Sequence, residues 1–93
     1  MLYQSAGYNK LNVLRGLLEE GANTELTEPE YGDVPLHAAA AMGFGNVIDE
    51  LHAYGADVNP LNKKGMTPLY LAAFSGRANM VKRLLTKGAI PDL

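Results

Sequence analysis

Apolar residues recur along this chain with the spacing of a single buried helical face. Leu69, Ala72 and Ala73 are separated by three and four positions, and Met80 and Leu84 repeat the pattern further on. This spacing places the side chains on one side of an α-helix. The same pattern returns in earlier segments and predicts three pairs of short helices. The predicted helices cover residues 2–8 and 12–20, 36–42 and 46–54, and 69–75 and 79–87.

Residues that start and stop helices flank these segments. Pro68 suits the first turn of a helix, because an N–H at that position has no partner within the helix, and Thr67 is a good N-cap before it. Pro35 stands at the same place in the preceding unit. Gly76 can adopt the left-handed conformation that ends a helix, and Asn9 is the next-best residue type for it. The chain is therefore read as helix–turn–helix units.

The units are related by an internal repeat. Gly21-Ala22, Gly55-Ala56 and Gly88-Ala89 recur at intervals of 34 and 33 residues. Helices this short cannot bury an apolar stripe alone, so neighbouring units must stack, and about three units are needed for independent stability. Small side chains in register let the units approach closely. They are Ser5-Ala6, Ala39-Ala40 and Ala72-Ala73.

Two of the units resemble the ankyrin repeat, and the resemblance covers essentially the whole chain. It implies an all-α solenoid of stacked helix–turn–helix units with β-hairpin fingers at residues 23–34 and 57–67. We interpret residues 1–93 as one ankyrin repeat domain with repeats at about 1–25, 26–59 and 60–93. The segments that carry the resemblance are Val34-Pro35-Leu36-His37-Ala38-Ala39-Ala40, Gly55-Ala56-Asp57-Val58-Asn59, Thr67-Pro68-Leu69-Tyr70-Leu71-Ala72-Ala73 and Leu84-Leu85-Thr86-Lys87-Gly88-Ala89.

The chain departs from the family pattern at four places. The first unit lacks its finger, which favours a piece of a longer array over a natural cap. In the family pattern, a Thr and a His of the same unit pair through a side-chain hydrogen bond. Here Val34 precedes His37, whereas Thr67 precedes Tyr70, so His37 and Thr67 each need another hydrogen-bond partner. His52 falls in a column of apolar residues, which predicts an interior position. The first finger is one residue longer, a change that surface loops tolerate.

Composition excludes several classes of function. The formal net charge is −2, which argues against nucleic acid as a partner. Cysteine is absent, so disulfides, thiol nucleophiles and Cys-type zinc sites are ruled out. No run of apolar residues is long enough to cross a membrane. We expect an intracellular, cytoplasmic protein, with a nuclear location left open.

The sequence contains no constellation typical of catalysis or metal binding. Neither His37 nor His52 belongs to a recognisable nucleophile–base arrangement, and no serine lies in a Gly-x-Ser-x-Gly context. The acidic run at residues 28–33 lacks the ligand spacing of a calcium loop. We therefore predict a non-enzymatic chain with no catalytic residues, no metal and no cofactor.

The resemblance also implies where a partner binds. Ankyrin repeat proteins usually contact partners through finger tips and the concave face of each unit's first helix. On that face Tyr8, Met42 and Phe74 form a predicted apolar stripe, unless Met42 or Phe74 folds back onto a neighbouring helix. The first finger is acidic, and the second carries two lysines. The candidate partner-binding residues are Tyr8, Glu30, Tyr31, Asp33, Met42, Lys63, Lys64, Met66, Phe74 and Ser75.

These features favour a non-catalytic module that binds a protein or an extended peptide. Two alternatives stay open: a structural or engineered scaffold without a dedicated ligand, and an accessory segment of a larger enzyme or channel. Neither nucleic acid nor membrane is expected as a partner. Exposed stack ends predict a monomer or a weak end-to-end dimer.

Overall fold

The computed structural model of the chain describes residues 2–91 and is all-helical. Each predicted helix is present, with bounds within one residue of those expected from the sequence. The helices form three successive pairs, which we call the first, second and third helix pairs. They are α1 (Leu2–Gly7) with α2 (Leu11–Glu19), α3 (Pro35–Met42) with α4 (Gly45–Ala53), and α5 (Pro68–Phe74) with α6 (Ala78–Thr86).

The predicted start and stop signals act as expected. Thr67 caps α5, because its Oγ1 accepts a hydrogen bond from the N–H of Tyr70 at 3.1 Å. Proline is the first residue of both α3 and α5. Gly43 ends α3 with a φ of 80°, and Asn9 is the non-glycine residue that adopts the same left-handed region, with a φ of 56°. Local chemistry therefore explains the starts of α3 and α5 and the end of α3.

The helix pairs stack side by side and share one core. Helix α3 packs between α1 and α5, and α2 packs against α4. The small side chains of Ala39, Ala40 and Ala72 are completely buried, as stacking requires, whereas Ala73 on the far side of the third helix pair is exposed. The largest fully buried side chains are those of Leu14, Pro35, Leu36, His37, Val47, Ile48, Leu51, Pro68 and Leu84.

The interior position predicted for His52 is wrong, because its side chain is exposed. Helix α4 fills its buried face with Val47, Ile48 and Leu51. His52 lies beside that face, in a column where exposure varies, because Leu18 is 4% exposed and Leu85 is 42% exposed. A polar ring is therefore tolerated there without a buried partner.

The two fingers form closed turns, and no described residue lies in a strand. In the first finger, the N–H of Glu28 donates to the carbonyl oxygen of Asp33 at 2.9 Å. In the second finger, the N–H of Asn62 donates to the carbonyl oxygen of Met66 at 3.0 Å. The fingers thus have the reversal of a hairpin without a regular β-ladder.

Candidate functional site

Helices α1 and α3 leave an open groove between them. We call it the α1/α3 groove; its volume is about 300 Å³. Tyr8 and Met42 stand at its rim and are 71% and 49% exposed. Large apolar or aromatic side chains exposed beside a groove mark it as a candidate interaction site. The groove is lined by Tyr3, Gln4, Gly7, Tyr8, Asp33, His37, Ala38, Ala41 and Met42.

The buried imidazole of His37 fixes one wall of this groove. The N–H of Val34 donates to its Nδ1 at 3.0 Å, so Nε2 carries the proton and donates to the carbonyl oxygen of Met66 at 2.8 Å. The first bond satisfies the start of α3, and the second ties α3 to the finger before α5. The prediction that His37 finds a partner other than threonine is confirmed.

Phe74 lies at the end of α5, outside the α1/α3 groove. Its ring is 79% exposed and stacks on that of Tyr70, with centroids 6.1 Å apart and an interplanar angle of 14°. Neither Phe74 nor Met42 folds back into the core. Phe74 and Tyr70 thus form an aromatic pair on α5 that does not line the α1/α3 groove.

Glu28 organises the longer first finger. Its carboxylate accepts hydrogen bonds from the N–H groups of Glu30, Tyr31 and Asp33 at 2.9, 2.6 and 3.3 Å. Although partial burial opposes the effect, these three bonds lower the pKa of Glu28 below its ordinary value. The tip therefore has a defined shape, and the Glu28 carboxylate is occupied within it.

Asn62 has the same role in the second finger. Its Oδ1 accepts from the N–H groups of Lys64 and Met66 at 3.0 and 2.9 Å. The glutamate side chain of Glu28 is one methylene longer than that of asparagine, and its turn is one residue longer. The longer side chain spans the longer turn, which explains physically how the extra residue is accommodated.

The acidic and the basic finger are in contact with each other. The N–H of Lys63 donates to the carbonyl oxygen of Tyr31 at 2.9 Å, and the Lys63 ammonium donates to the carbonyl oxygen of Pro29. The Lys64 ammonium lies 5.6 Å from the centroid of the Tyr31 ring, within cation–π range. Asn62 donates to the carboxylate of Asp33 at 2.9 Å. The tips form one surface, which we call the finger cluster.

Acidic groups shape the potential at these two places. Partial burial, followed by the charges of Asp33 and Glu28, raises the pKa of Tyr3 in the α1/α3 groove. A hydrogen bond to Glu30 and the charge of the same carboxylate raise the pKa of Tyr31 in the finger cluster. Both tyrosines therefore sense a negative field, and they stay neutral at physiological pH.

Comparison with known families decides the identity of the fold. The family described as ankyrin repeats (3 copies) matches residues 2–93. The chain belongs to the ankyrin repeat family. Ankyrin repeats generally mediate protein–protein interactions and are not themselves catalytic. This agrees with a stack that carries an open groove on its first helices.

Similar proteins are much longer than this set of ankyrin repeats. The ARF GTPase-activating protein Git of Drosophila melanogaster is 37% identical over 84 residues, which is 90% of this chain and 12% of that protein. The human 2-5A-dependent ribonuclease is 36% identical over 80 residues, 86% of this chain and 11% of that protein. Human ankyrin repeat and SOCS box protein 11 is 34% identical over 92 residues, 99% of this chain and 27% of that protein.

The structure distributes the predicted site residues of these ankyrin repeats over three places. Tyr8, Asp33 and Met42 line the α1/α3 groove. Phe74 and Ser75 lie together at the end of α5, and both are exposed. The third place is the finger cluster and its base, where Met66 is half-buried and uses its backbone to hold His37 and Asn62. The other members at this place are Glu30, Tyr31, Lys63 and Lys64.

Two aromatic residues near these places were not among the site residues predicted from the sequence. Tyr3 lines the α1/α3 groove, and Tyr70 stacks on Phe74. Both fall in the column of His37, so the repeat register could have indicated that they share its face. The register alone could not indicate that they are accessible, because the same column holds the fully buried His37 in the second helix pair.

The described residues show neither a metal cluster nor a membrane span. No group of three or more His, Cys, Asp or Glu side chains in residues 2–91 is arranged to hold a metal ion. In the same part of the chain, no helix combines the length and the apolar content needed to cross a bilayer.

Proposed function

We propose that these ankyrin repeats bind a protein partner through an extended segment that lies in the α1/α3 groove and reaches the finger cluster. The observation that supports this most strongly is the exposure of Tyr8 and Met42, which line the same groove. Tyrosine is a frequent hot-spot residue, and methionine adapts its shape to different partners. Covering both side chains would remove apolar surface from water.

Charge favours a particular kind of segment. Asp33 lines the groove, and its charge adds to the effect of partial burial, which is the larger cause of the raised pKa of Tyr3. A partner that places an apolar side chain between Tyr8 and Met42 and a lysine or arginine nearby would complement this wall. Such complementarity chiefly sets orientation and association rate.

The finger cluster offers a second, preorganised contact. Tyr31 is held beneath Lys64, and its backbone carbonyl is bonded to Lys63. Side chains already fixed by intramolecular contacts lose little entropy when a partner arrives. We therefore expect Tyr31 and Glu30 to contribute to binding without rearrangement of the fingers.

Selection from a displayed library of random peptides tests the proposal. Binders selected on the wild-type chain should lose affinity roughly tenfold or more with Tyr8→Ala or Met42→Ala, measured by fluorescence anisotropy. Tyr54→Ala is the matched control, because Tyr54 is 45% exposed but lies at the end of α4, away from the groove. Circular dichroism checks that all three variants keep their helices.

The result also has to locate the peptide. Chemical-shift changes in an NMR titration should cluster at α1 and α3 and leave α4 and α6 unchanged. Equal affinity of the Tyr8→Ala, Met42→Ala and wild-type chains, or shifts centred on α4, would contradict the proposed face.

The relatives support a second, compatible candidate. Because the chain matches only 12% of Git and 11% of the ribonuclease, it resembles one segment of larger proteins, some of them enzymes by name. We propose on this ground an accessory role beside a separate activity. We also propose, independently of the relatives, an intracellular location, cytoplasmic or nuclear. Imaging of a tagged full-length protein tests the location.

A further inference from the structure

The α1/α3 groove has two chemically different ends. Tyr3 is the second residue of α1, and Tyr8 directly follows the last residue of that helix. Asp33 lies two residues before the start of α3, and Met42 is the last residue of α3. Because equivalent helices of stacked units run in parallel, Tyr3 and Asp33 line one end of the groove, which we call the polar end. Tyr8 and Met42 line the other end, which we call the apolar end.

The carboxylate of Asp33 is held in place without being neutralised. It is half-buried, and its Oδ1 accepts a hydrogen bond from the side-chain amide of Asn62 at 2.9 Å. An amide carries no charge, and within residues 2–91 no lysine or arginine forms an ion pair with Asp33. A carboxylate accepts several hydrogen bonds at once, so this group keeps the capacity to bind a cationic donor from another molecule.

The lysines of the second finger are engaged with the first finger. The Lys63 ammonium donates to the carbonyl oxygen of Pro29, and the Lys64 ammonium lies 5.6 Å from the centroid of the Tyr31 ring. These two positive charges also do not balance the first finger, which carries three carboxylates between residues 28 and 33. A negative potential therefore remains beside the polar end.

The wall around the polar end adds no positive charge. Both ring nitrogens of His37 are used, because Nδ1 accepts the N–H of Val34 and Nε2 donates to the carbonyl oxygen of Met66, so the imidazole is neutral. Partial burial, and after it the charge of Asp33, raises the pKa of Tyr3, which shows that the phenol lies within electrostatic reach of the carboxylate. The polar end thus combines an aromatic ring with a carboxylate that has no ion-pair partner in the described chain.

An arginine side chain has the chemistry that the polar end would recognise. Its guanidinium is planar and always charged, binds a carboxylate through two parallel N–H groups, and stacks on aromatic faces. It is also less strongly hydrated than the ammonium of lysine, so it loses less hydration when it moves from water to a half-buried position. A ring such as that of Tyr3 near a fixed carboxylate therefore favours guanidinium over ammonium.

The distance between the two ends of the groove sets the spacing of the residues that fill it. Tyr3 and Tyr8 are five residues apart, which corresponds to about 7.5 Å along α1 at about 1.5 Å per residue. In an extended segment, residues i and i+2 point to the same side and lie about 6.7 Å apart. Adjacent residues point to opposite sides, and residues i and i+4 lie about 13 Å apart. Two side chains separated by one intervening residue therefore match the groove.

We propose that the polar end of the α1/α3 groove binds an arginine of the partner, and that the residue two positions from this arginine is apolar and occupies the apolar end. The guanidinium pairs with the Asp33 carboxylate and lies against the Tyr3 ring, while the apolar side chain contacts Tyr8 and Met42. This inference rests on the proposed function for the occupation of the groove, and it adds the identity and the spacing of the residues that fill it.

A displayed library of short peptides, with a fixed central arginine and random residues on both sides, tests the spacing. In binders selected on the wild-type chain, Leu, Ile, Phe or Met should be enriched two positions before or after the arginine, and less at one or three positions. Selection on the Tyr8→Ala chain should lose this enrichment, because that variant lacks the ring of the apolar end. Equal enrichment at every separation would overturn the proposed spacing.

Replacement of the arginine in a selected peptide tests the chemistry by fluorescence anisotropy. Citrulline has nearly the shape of arginine without its charge and should weaken binding roughly tenfold, whereas lysine should weaken it roughly threefold. Asp33→Asn should weaken the arginine peptide roughly tenfold and leave the citrulline peptide within about twofold, because the asparagine oxygen can still accept the bond from Asn62. Glu19→Gln is the matched control: it removes one carboxylate at the end of α2, outside the groove, and should change both affinities by less than about twofold.

Two replacements of Tyr3 test the contribution of the ring. Tyr3→Leu removes the aromatic face and should remove the preference for arginine over lysine, whereas Tyr3→Phe should keep it. Circular dichroism checks that both variants keep their helices. A preference that survives in Tyr3→Leu would overturn the contact between the guanidinium and the ring.

The outcomes separate this inference from the proposed function. A selected peptide that loses affinity with Tyr8→Ala, but binds equally well with arginine and with citrulline, would overturn the inference and leave the groove as the binding site. Equal weakening of the arginine and citrulline peptides by Asp33→Asn would also overturn it, because Asp33 would then act through the fold. Peptides that bind without any effect of Tyr8→Ala and Met42→Ala would contradict both proposals.

Discussion

The second and third helix pairs share one apolar pattern but differ in what covers them. Ala40 and Ile48 are fully buried between neighbours, whereas Ala73 is exposed and Val81 is half-buried. The chemistry at each position is the same or nearly so. In a stacked fold, the contribution of a side chain to stability therefore depends on whether a neighbouring unit lies over its column.

Polar positions show the same dependence on neighbours. His37 and Tyr70 occupy one column, and both follow a proline at the start of a helix. The ring of His37 is fully buried and bonded on both nitrogens, one of them to the finger before α5. Tyr70 is 49% exposed. Where a neighbouring unit covers this position, as it does at His37, the side chain near the helix start connects the two units through its hydrogen bonds.

Replacement of these two residues gives the largest expected difference. His37→Ala should lower the free energy of unfolding by about 3 kcal/mol, because it leaves a cavity and removes the bonds to Val34 and Met66. Tyr70→Ala should lower it by less than about 1 kcal/mol, since half of that ring is already in water. Urea unfolding followed by circular dichroism measures both. Equal losses in the free energy of unfolding would mean that the contribution of this position to stability does not depend on whether a neighbouring unit covers it.

Much of this fold could be predicted from the sequence, because the residues that start and stop its helices act locally. Proline, threonine, glycine and asparagine act on the turn in which they stand, which is why the helix bounds were predicted to within one residue. The His52 prediction was wrong because burial is not constant along its column: Leu18 is buried, whereas Leu85 is 42% exposed, and register alone does not distinguish these surroundings. The exposure of side chains on the first and third helix pairs likewise depends on neighbouring units, which the repeat register does not specify.

The candidate site was less accessible because its contacts join distant residues. The finger cluster is made by Lys63 and Lys64 meeting Pro29 and Tyr31, and such pairing requires the stacked geometry. The sequence suggested separate acidic and basic fingers. The role of Glu28 depends on the shape of its own turn, which no motif specifies. Whether a partner contacts the predicted residues stays a prediction.

The same residue type at one column permits a sharper comparison. Val47 is fully buried and Val13 is 51% exposed, although both stand near the start of the second helix of their pair. Val47→Ala should lower the free energy of unfolding by about 2 kcal/mol, and Val13→Ala by less than about 0.5 kcal/mol. Urea denaturation measures both. A large loss from Val13→Ala would show that the exposed side chain of Val13 is packed within the fold.

The smallest expected effect concerns the ion pairs between the second and third helix pairs. Burial opposes the shift, but hydrogen bonds from Lys87 and Arg83 and their charges lower the pKa of Asp49. A carboxyl whose pKa is lowered in the folded state stabilises the fold at pH values above its ordinary pKa of about 3.9. This stabilisation disappears as the pH falls through the folded-state pKa. Because the Asp49 side chain is 43% exposed, solvent screening keeps the contribution below about 1 kcal/mol.

Asp49→Asn should therefore lower the melting temperature by a few degrees at most near pH 7, and the difference from wild type should shrink as the pH falls below about 4. Asp57→Asn is the matched control: it removes one carboxylate at an exposed position, and an asparagine oxygen can still accept the N–H of Asn59. Thermal melts across this pH range, repeated at about 1 M salt, should show the Asp49 effect weakening with salt. A difference that persists unchanged at low pH would assign the loss to packing rather than to the ion pairs of Asp49 with Lys87 and Arg83.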